Sequence, residues 1–402
     1  MSTHDSGTAL LDTVTGLVEA LRPEILDVSH RIHDRPEIRF TEHHAAKLLR
    51  DSLSAHGFDV RERVADLDTA FVAEFTNAGD HEGHLPTVAI FLEYDALEGL
   101  GHGCGHNTIA AAGLGAAIAA KRWLADHPGT AARILAVGSP GEEGGGGKAY
   151  LIEAGVLSEV DAAMMVHPTG ANRVHMPSLA REAVEFVFTG VPAHAADTPH
   201  EGRNALDAAT LALNAIGLLR QQIRPESRVH AIITDGGQAP NIIPERTAIR
   251  AFVRSPDTRY LTDRLVPAVH DCARGAALAT GTDVEIRRSA PAYAAMRSNA
   301  VLAELITGTL VAMGREPGAE LPNRAGGSTD MGNVSQVVPS AHPLLELVPG
   351  VTMHTHEAAE AAGAAAGDQV ALDGATLLAT TTIQLLTEPD LLRQAKEAFA
   401  QE

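Results

Sequence analysis

Two side chains that could bind a metal ion, Cys104 and His106, stand one residue apart in the glycine-rich segment of residues 101–107, Gly-His-Gly-Cys-Gly-His-Asn. Thiolate and imidazole groups both suit a zinc-like ion, and glycines let backbone and metal approach closely. An apolar run at residues 88–92 precedes the segment, and a helix is predicted over residues 108–125. A junction of strand and helix is a common ligand site in α/β proteins. The two residues alone are also compatible with a tight glycine turn that carries a buried cysteine and a capping histidine.

Two further apolar runs end in side chains of the same chemical kind. Residues 133–138 predict a buried strand that leads to Glu142 and Glu143, and residues 160–166 predict another that ends at His167. Uninterrupted apolar runs of this length are typical of parallel strands that are covered on both faces. Because the carboxyl ends of parallel strands meet at one edge of a sheet, these groups are expected to converge with the Cys/His segment there.

The adjacent carboxylates of Glu142 and Glu143 predict a division of roles, because neighbouring side chains on a turn point in different directions. One can bind a metal while the other accepts a proton from metal-bound water, whose pKa falls to about 7. A solvated acidic turn is the alternative. The glycine run that ends at Lys148 suggests a phosphate loop, but Glu142 occupies the position of the first glycine and Ala149 that of the Ser or Thr. Nucleotide binding is therefore excluded here.

The motifs Glu-Tyr-Asp-Ala-Leu, Gly-Cys-Gly-His-Asn, Gly-Glu-Glu-Gly-Gly-Gly-Gly and Val-His-Pro occur in this order along the chain. In this combination the sequence resembles the co-catalytic metallohydrolases of peptidase family twenty, which include aminoacylases, carboxypeptidase G2-like enzymes, and di- and tripeptidases. The resemblance extends from about Val28 to Leu386 and is nearest to the branch of the aminobenzoyl-glutamate hydrolase B subunit and the β-alanyl-lysine dipeptidase. It implies an α/β, zinc-peptidase-like catalytic domain with a central, mostly parallel sheet, and an inserted ferredoxin-like dimerisation domain.

The resemblance implies two divalent metal ions per subunit, with zinc favoured and manganese or cobalt as alternatives. The positions that match metal ligands are Cys104, His106, Glu143, His167 and His354. By this match the Cys104 thiolate bridges both ions, with Glu143 on one of them and His106 and His167 on the other.

The same resemblance assigns roles to other residues around the metal. Glu142 matches the general base, and Asp95 matches the acid that orients a ligating imidazole. The family pattern near the C-terminus selects His354, but Ala358 replaces its usual aromatic residue, so His356 remains an alternative ligand. His102 has no assigned role and is interpreted as a packed or supporting histidine.

The inserted domain is predicted at residues 178–292, between catalytic segments at residues 1–177 and 293–402. Its predicted order, βαββαβ, is the ferredoxin-like arrangement. The free edge of such a sheet needs covering, and a two-fold homodimer is one way to cover it. The predicted strands are residues 182–188, 228–234, 246–253 and 283–288, with helices at 204–222 and 262–280.

Three polar residues of the inserted domain match functional positions of the family. His194 matches a histidine that stabilises the oxyanion in the partner subunit's site, although a surface loop histidine is the plain alternative. Asn241 and Arg254 match a pair that binds a substrate carboxylate, and a guanidinium suits a carboxylate well. Alternatively, Asn241 is a turn residue and Arg254 an ordinary surface charge.

The composition limits the compartment and the partners. The chain has 402 residues, of which 31 are basic and 51 acidic, for a formal net charge of −20. This charge argues against nucleic-acid or anionic-membrane partners, and no apolar run reaches the roughly 18 residues of a membrane span. No secretion signal is evident, and with one of only two cysteines assigned to metal, a reducing cytoplasm is expected.

The sequence therefore predicts a metal-dependent amide hydrolase that acts on small molecules, namely dipeptides or N-acyl amino acids with a free carboxylate. An aminobenzoyl-glutamate or N-carbamoyl amide hydrolase is the enzymatic alternative. A catalytically inactive metal-binding scaffold that senses an amino-acid ligand is the alternative from another class. The presence of Glu142 beside Glu143 argues against the scaffold, since a scaffold has no use for a general base.

Overall fold

The structure is a computed structural model that describes residues 3–79, 81–319 and 326–401. These residues form two compact units. The first unit contains residues 3–176, 296–319 and 333–401, and the second contains residues 177–295 and 326–332. The inserted domain was predicted at residues 178–292, whereas the second unit contains residues 177–295 and also residues 326–332.

Helices and strands are interspersed along the described residues. The N-terminal part contains α1 (Thr3–His33), α2 (His43–Ala55), β1 (Asp59–Glu62), β2 (Phe71–Asn77), β3 (Thr87–Leu92), α3 (His106–Ala125), β4 (Ala132–Gly138), α4 (Gly147–Glu153), β5 (Ala162–Met164) and β6 (His167–Thr169). The middle part contains β7 (Ala180–Thr189), α5 (Ala205–Leu219), β8 (Arg228–Asp235), β9 (Arg246–Ser255), α6 (Thr258–Tyr260), α7 (Val266–Thr280) and β10 (Asp283–Tyr293). The C-terminal part contains α8 (Ala300–Ala312), α9 (Met331–Val334), β11 (Ser340–Ala341), β12 (Leu344–Glu346), α10 (His356–Ala362), α11 (Ala365–Thr387) and α12 (Pro389–Gln401). Single turns lie at Val64–Asp66, Pro199–Glu201 and Leu261–Leu265.

The central sheet of the first unit has the strand order β1-β2-β4-β3-β5-β11. Strands β4, β3, β5 and β11 are parallel to one another, whereas β2 is antiparallel to both β1 and β4. Every residue of β3 is buried, as expected for a strand covered on both faces. The predicted mostly parallel sheet of the α/β catalytic domain is therefore confirmed.

Helices α1, α3 and α11 pack against one another beside this sheet. Among the described residues, α11 is the one helix that is long and apolar enough to cross a membrane by length and composition. However, 83% of its most apolar window is buried inside the protein. Burial in the core is therefore sufficient to explain its apolar composition.

Helix α1 is longer than the sequence predicts, because Pro23 does not end it. The sequence pattern predicts two separate helical segments, residues 10–20 and residues 25–32, on either side of this proline. An interior proline removes one backbone hydrogen bond and usually kinks or breaks a helix. Here the buried face continues past it, and core contacts on both sides hold the two halves in one helix; the buried residues are Val14, Val18, Leu21, Ile25, Val28 and Ile32.

The second unit has the element order βαββαβ when the short α6 is set aside. Its sheet has the order β10-β7-β9-β8, with all neighbouring strands antiparallel. This is the element order of a ferredoxin-like module. Helices α5 and α7 cover one face of the sheet, and β8 forms one edge.

Candidate metal centre

The carboxyl ends of three neighbouring parallel strands carry the candidate site. Strand β3 lies between β4 and β5, so the segments that follow these strands emerge side by side. After β3 come Asp95 and the segment of residues 101–107, after β4 comes the loop with Glu142 and Glu143, and after β5 comes His167. The arrangement expected from the apolar runs is therefore present.

Three groups of possible metal ligands overlap in the site, and two of them, formed by five side chains, share Cys104. The third group contains Glu93, His106 and Glu142. The first group joins Cys104 to His106 and His167. The second joins Cys104 to Glu143 and His354, and in each group the ligand atoms lie within 4.8 Å of one another. Cys104 Sγ is 3.4 Å from His167 Nε2 and 3.3 Å from His354 Nε2. A thiolate shared by two ligand groups is suited to bridge two ions.

Hydrogen bonds orient two of the imidazoles so that their Nε2 atoms face the cluster. Asp95 Oδ1 lies 3.0 Å from His106 Nδ1, and the Pro168 carbonyl oxygen lies 2.7 Å from His167 Nδ1. With an acceptor at Nδ1, each ring in its neutral form carries its proton there and presents an Nε2 lone pair to a metal. The predicted orienting position of Asp95 beside a ligand is therefore occupied as expected.

Buried carboxylates hold the loop on both sides of Glu142. The Gly141 N–H donates to Glu42 Oε1 at 2.9 Å, and the Glu143 N–H donates to Asp95 Oδ2 at 2.8 Å. Gly141 has φ +71°, and an added Cβ would lie 2.8 Å from the Phe40 ring, so no other residue fits here without strain. The backbone of Glu142 is thus fixed by its two neighbours in sequence.

The electrostatic environment favours the metal-binding protonation state of some residues of the site but not that of Cys104. Burial, helped by the charge of His106, lowers the pKa of His167 to about 4, which keeps this imidazole neutral. Burial alone would raise the pKa of Asp95, but His106 outweighs it and lowers that pKa, which keeps the carboxylate ionised. Burial and then the charge of Glu143 raise the pKa of the Cys104 thiol. A bound cation is therefore needed to make the thiolate.

The residues present fit a divalent metal ion. His106 Nε2 is buried and makes no hydrogen bond within the described part of the chain, and a buried polar atom of this kind normally has a partner. Sulfur, imidazole nitrogen and carboxylate oxygen together form a donor set typical of zinc. Glu142 lies beside this set, because one of its oxygens is within 4.8 Å of ligand atoms of His106 and Glu93. The arrangement is suited to activating water next to a carboxylate base.

Comparison with protein families agrees with this geometry. The family model described as Peptidase family M20/M25/M40 matches residues 81–373, which contain both ligand groups. The chain belongs to this family. As an M20 peptidase it is a metal-dependent hydrolase of amide bonds, and the family predicted from the sequence motifs is confirmed.

The chain is also similar to individual M20-type enzymes over most of its length. It is 36% identical to the human Xaa-Arg dipeptidase over 395 residues, which cover 92% of this chain and 88% of that protein. It is 38% identical to the p-aminobenzoyl-glutamate hydrolase B subunit of Escherichia coli K12 over 292 residues, covering 67% of this chain and 58% of that protein.

Solved structures share the fold at lower sequence identity. A putative aminohydrolase from methicillin-resistant Staphylococcus aureus matches with a TM-score of 0.74 and 19% identity, covering 93% of this chain and 99% of that one. A dinuclear metal-binding peptidase of the M20 family from Bacillus subtilis matches with a TM-score of 0.64 and 20% identity, covering 91% of this chain and 99% of that one.

Three further histidines of this M20 enzyme, His354, His356 and His102, lie in different environments. His354 belongs to a ligand group, and its Nε2 lies 3.2 Å from Glu143 Oε1. His356 begins α10 and lies in none of the ligand groups formed by the described residues. His102 is buried, with Nε2 3.1 Å from the Ile32 carbonyl oxygen, and burial lowers its pKa to about 3. It therefore packs under the site as a neutral ring.

Sequence reasoning did not identify three residues that support the site. Lys148 and Glu93 form a completely buried ion pair, and Glu93 Oε2 lies 3.7 Å from His106 Nε2. Glu42 accepts the Gly141 N–H from a position 99 residues away in the chain. The glycine run before Lys148 suggested a phosphate loop and no other role for this lysine. A signal for Glu93 was present, since it directly follows β3 and precedes Asp95 by two residues.

Two of the three predicted residues of the second unit are neighbours in the structure. His194 and Asn241 lie together, because His194 forms a β-bridge with Ile242 and the Ala195 N–H donates to the Asn241 carbonyl at 3.0 Å. Asn241 is in the loop before β9, whereas Arg254 is near the end of β9. Eight residues at about 3.3 Å each separate the start of β9 from Arg254, or roughly 26 Å. Asn241 and Arg254 therefore lie near opposite ends of β9, and their joint role in binding a carboxylate stays a prediction.

Proposed function

We propose that this M20 enzyme hydrolyses the amide bond of dipeptides or N-acyl amino acids that end in a free carboxylate. The observation that carries this proposal is the double ligand group around Cys104, with the Glu142 carboxylate next to it. A structural metal site would be closed by its ligands and would need no additional carboxylate at its side. A carboxylate in that position is suited to proton transfer in hydrolysis.

Two divalent ions, with zinc as the favoured metal, would be held by the two ligand groups. When bound, they would polarise the substrate carbonyl and lower the pKa of water. Glu142 takes the proton of the attacking water and delivers it to the leaving amine, so its carboxylate must face the scissile bond. Asp95 keeps His106 in the ligating tautomer and also holds the Glu143 N–H. Manganese or cobalt remains compatible with the same donors.

The second unit would complete the active site across a homodimer. Strand β8 is an edge strand, and its Ile232 side chain is 64% exposed, which favours pairing with a second copy. In this proposal His194 of one copy stabilises the oxyanion that forms in the site of the other copy. The neighbouring Asn241 belongs to the same loop pair and would act together with His194.

Arg254 would bind the substrate carboxylate. Its guanidinium is partly buried, and Nη1 donates to the Ser328 hydroxyl at 2.8 Å, which leaves further donors for a ligand. The names of the relatives support a substrate of this class, since one is a dipeptidase for Xaa-Arg and another hydrolyses p-aminobenzoyl-glutamate. Aminobenzoyl-glutamate and N-carbamoyl amino acids are therefore the alternative substrates.

A substrate panel tests the proposed function. The purified enzyme is treated with chelator, reloaded with zinc, manganese or cobalt, and assayed against dipeptides, N-acetyl amino acids, p-aminobenzoyl-glutamate and N-carbamoyl amino acids. We expect hydrolysis only after metal is restored, and only for amides with a free carboxylate; the corresponding carboxamides serve as controls. Stoichiometric metal binding without hydrolysis of any compound would instead support the metal-binding scaffold.

A further inference from the structure

Phe40 has a backbone conformation that aromatic residues rarely adopt. It lies in the segment between α1 and α2, residues 34–42, and its φ is +64°, in the left-handed region. In that region Cβ crowds the backbone carbonyl, so residues other than glycine are strained there. Glu42 helps to hold this conformation, because its Oε1 accepts the Phe40 N–H at 2.8 Å. Such strain persists where the surrounding structure enforces it, and it is frequent at active sites.

The ring of Phe40 packs on the loop that carries Glu142. This loop, residues 141–146 and called the glutamate loop below, is closed at its base, because the Gly145 N–H donates to the Gly141 carbonyl oxygen at 3.0 Å. A Cβ added to Gly141 would lie 2.8 Å from Cε1 of the Phe40 ring, and one added to Gly145 would lie 2.6 Å from Cε2. The ring therefore lies against both residues that close the loop.

Further contacts join the segment of Phe40 to the same loop. Arg39 Nη1 donates to the Glu143 carbonyl oxygen at 3.1 Å. Glu42 Oε1 accepts the Gly141 N–H at 2.9 Å, in addition to that of Phe40. Phe40 is only half-buried, and among the described residues it is not part of the hydrophobic core of the first unit. Its ring instead contacts the glutamate loop.

The composition of the glutamate loop makes outside support necessary. Four of its six residues are glycines, which have more backbone freedom than any other residue. A general base must nevertheless lie within hydrogen-bond reach of the proton that it takes. Without contacts from outside, the loop would sample orientations in which the Glu142 carboxylate points away from the scissile bond. A flat, rigid ring against the base of the loop restricts these orientations.

We propose that Phe40 is a positioning residue for the general base, and that its ring holds the glutamate loop in the conformation that directs the Glu142 carboxylate to the scissile bond. This inference rests on the proposed function, in which Glu142 is the base. Phe40 then affects the rate of the chemical step and not the binding of metal or substrate. The strained backbone places the ring where the loop needs it.

Kinetics and metal analysis of Phe40→Leu test this proposal, since leucine is apolar but cannot lie flat against both glycines. We expect kcat to fall about 10- to 100-fold, the cost of a small misplacement of reacting groups, with KM and metal content unchanged. Phe75→Leu is the matched control, because Phe75 is a half-buried phenylalanine of the first unit that packs beside Phe58 of the core, and it should keep kcat. An unchanged kcat in Phe40→Leu, or a decrease explained entirely by lost metal, would refute the proposal.

Phe40→Gly separates the ring from the backbone conformation. Glycine adopts the left-handed region without strain, so the course of the backbone should be retained while the ring is lost. We expect at least the decrease in kcat that Phe40→Leu shows, and if one of the two variants does not fold, the other carries the test. Wild-type kcat in Phe40→Gly would show that the ring has no role.

Combination with Glu142→Gln distinguishes positioning from a general structural role. A positioning residue has no effect once the group that it positions is absent, so adding Phe40→Leu to Glu142→Gln should leave the residual turnover unchanged. A further decrease in the double variant would mean that Phe40 supports the site as a whole, and it would overturn the proposal.

Hydrogen exchange distinguishes failure of this proposal from failure of the proposed function, because it measures the glutamate loop without turnover. Phe40→Leu should accelerate amide exchange in residues 141–146 of the metal-loaded protein, where the Gly145 and Gly146 N–H groups are hydrogen-bonded within the loop. If the wild type cleaves no amide but this exchange is accelerated, the proposed function fails and the contact of Phe40 with the loop is confirmed. If amides are cleaved while exchange and kcat of Phe40→Leu match the wild type, only Phe40 loses its role.

Discussion

Buried charge is arranged in opposite ways in the two units. In the first unit, charges of opposite sign are in contact, as in the fully buried pair of Lys148 and Glu93 and the pair of His106 and Asp95. In the second unit, Arg181, Arg254 and Arg228 stand directly opposite one another on β7, β9 and β8, a set called the arginine row below. Among the described residues these three arginines donate to neutral oxygens and form no ion pair.

This difference shows which charges are compensated by the protein itself and which charges a bound ligand must compensate. Paired charges in the first unit hold side chains in fixed orientations, so the metal centre is preorganised by the protein itself. In the second unit the positive charges remain to be compensated, which is the condition for selecting an anionic ligand. The comparison predicts that substitutions in the first unit reduce turnover, whereas substitution of Arg254 in the second unit weakens the binding of substrates that carry a free carboxylate.

The largest effect is expected from Glu142, whose removal tests whether the first unit carries the chemistry. Glu142→Gln keeps the size of the side chain but cannot accept a proton. It should retain the metal and lose about 10²- to 10⁴-fold in turnover, the usual contribution of general acid–base catalysis. Metal analysis and kcat are the measurements, and a loss of less than about tenfold would contradict the assigned role.

A mixing experiment extends this prediction to the second unit. His194→Ala should be folded, dimeric and metal-loaded, yet lose about 10²- to 10³-fold in turnover as an oxyanion donor does. In a mixed dimer with Glu142→Gln, one site would combine an intact base with an intact histidine from the other copy. Activity should therefore return on mixing. No recovery after verified subunit exchange would mean that His194 does not act across the dimer.

Metal content separates the two C-terminal histidines. His354→Ala should lower the metal content from two ions to fewer, since His354 Nε2 lies within 3.3 Å of Cys104 Sγ. His356→Ala, two residues away at the start of α10, is the matched control and should keep both ions. Cys104→Ala should lose both ions if the thiolate bridges them. Elemental analysis of the three variants is sufficient, and full occupancy in Cys104→Ala would exclude a bridge.

The metal centre could be predicted from the sequence because its ligands follow apolar runs that predict buried strands. Strands β3, β4 and β5 were predicted close to their observed bounds, and parallel neighbours bring their ends together. The chemical types of Cys104, His106 and His167 then suggested the metal. Local patterns were sufficient for these elements because the strands are short, buried and bounded by glycines or polar residues.

Features that depend on pairing across the fold could not be predicted in this way. The arginine row exists only through the register of β7, β8 and β9, and strand alternation does not reveal which residues stand opposite one another. Helix α1 continued through Pro23 because core contacts on both sides outweighed the local preference.

Glu42 is an exception to the pairing of opposite charges in the first unit. Its substitution is expected to have the smallest effect of those considered, a change in the pH dependence of stability. Its carboxylate is buried and accepts the Phe40 and Gly141 N–H groups and the Thr69 hydroxyl, rather than a cation. Burial, and then the negative charge of Asp95, raise the pKa of Glu42 from 4.5 to about 7. The folded protein therefore holds a proton on Glu42 more tightly than the unfolded chain does.

The sign of the pH dependence follows from this shift. The stabilising contribution of protonated Glu42 is fully present below about pH 4.5 and is lost as the pH rises to about 7, with an upper limit of about 3 kcal/mol. Glu42→Gln cannot ionise, so its stability relative to the wild type should increase over this range, whatever constant offset the lost hydrogen bonds introduce. Denaturant unfolding of both metal-loaded proteins between about pH 5.5 and 8 measures the slope, with Glu62→Gln as the control for loss of an exposed carboxylate. A difference in unfolding free energy that stays constant with pH would show that Glu42 is ionised throughout, and the first unit would then contain a buried charge held by N–H and hydroxyl groups alone.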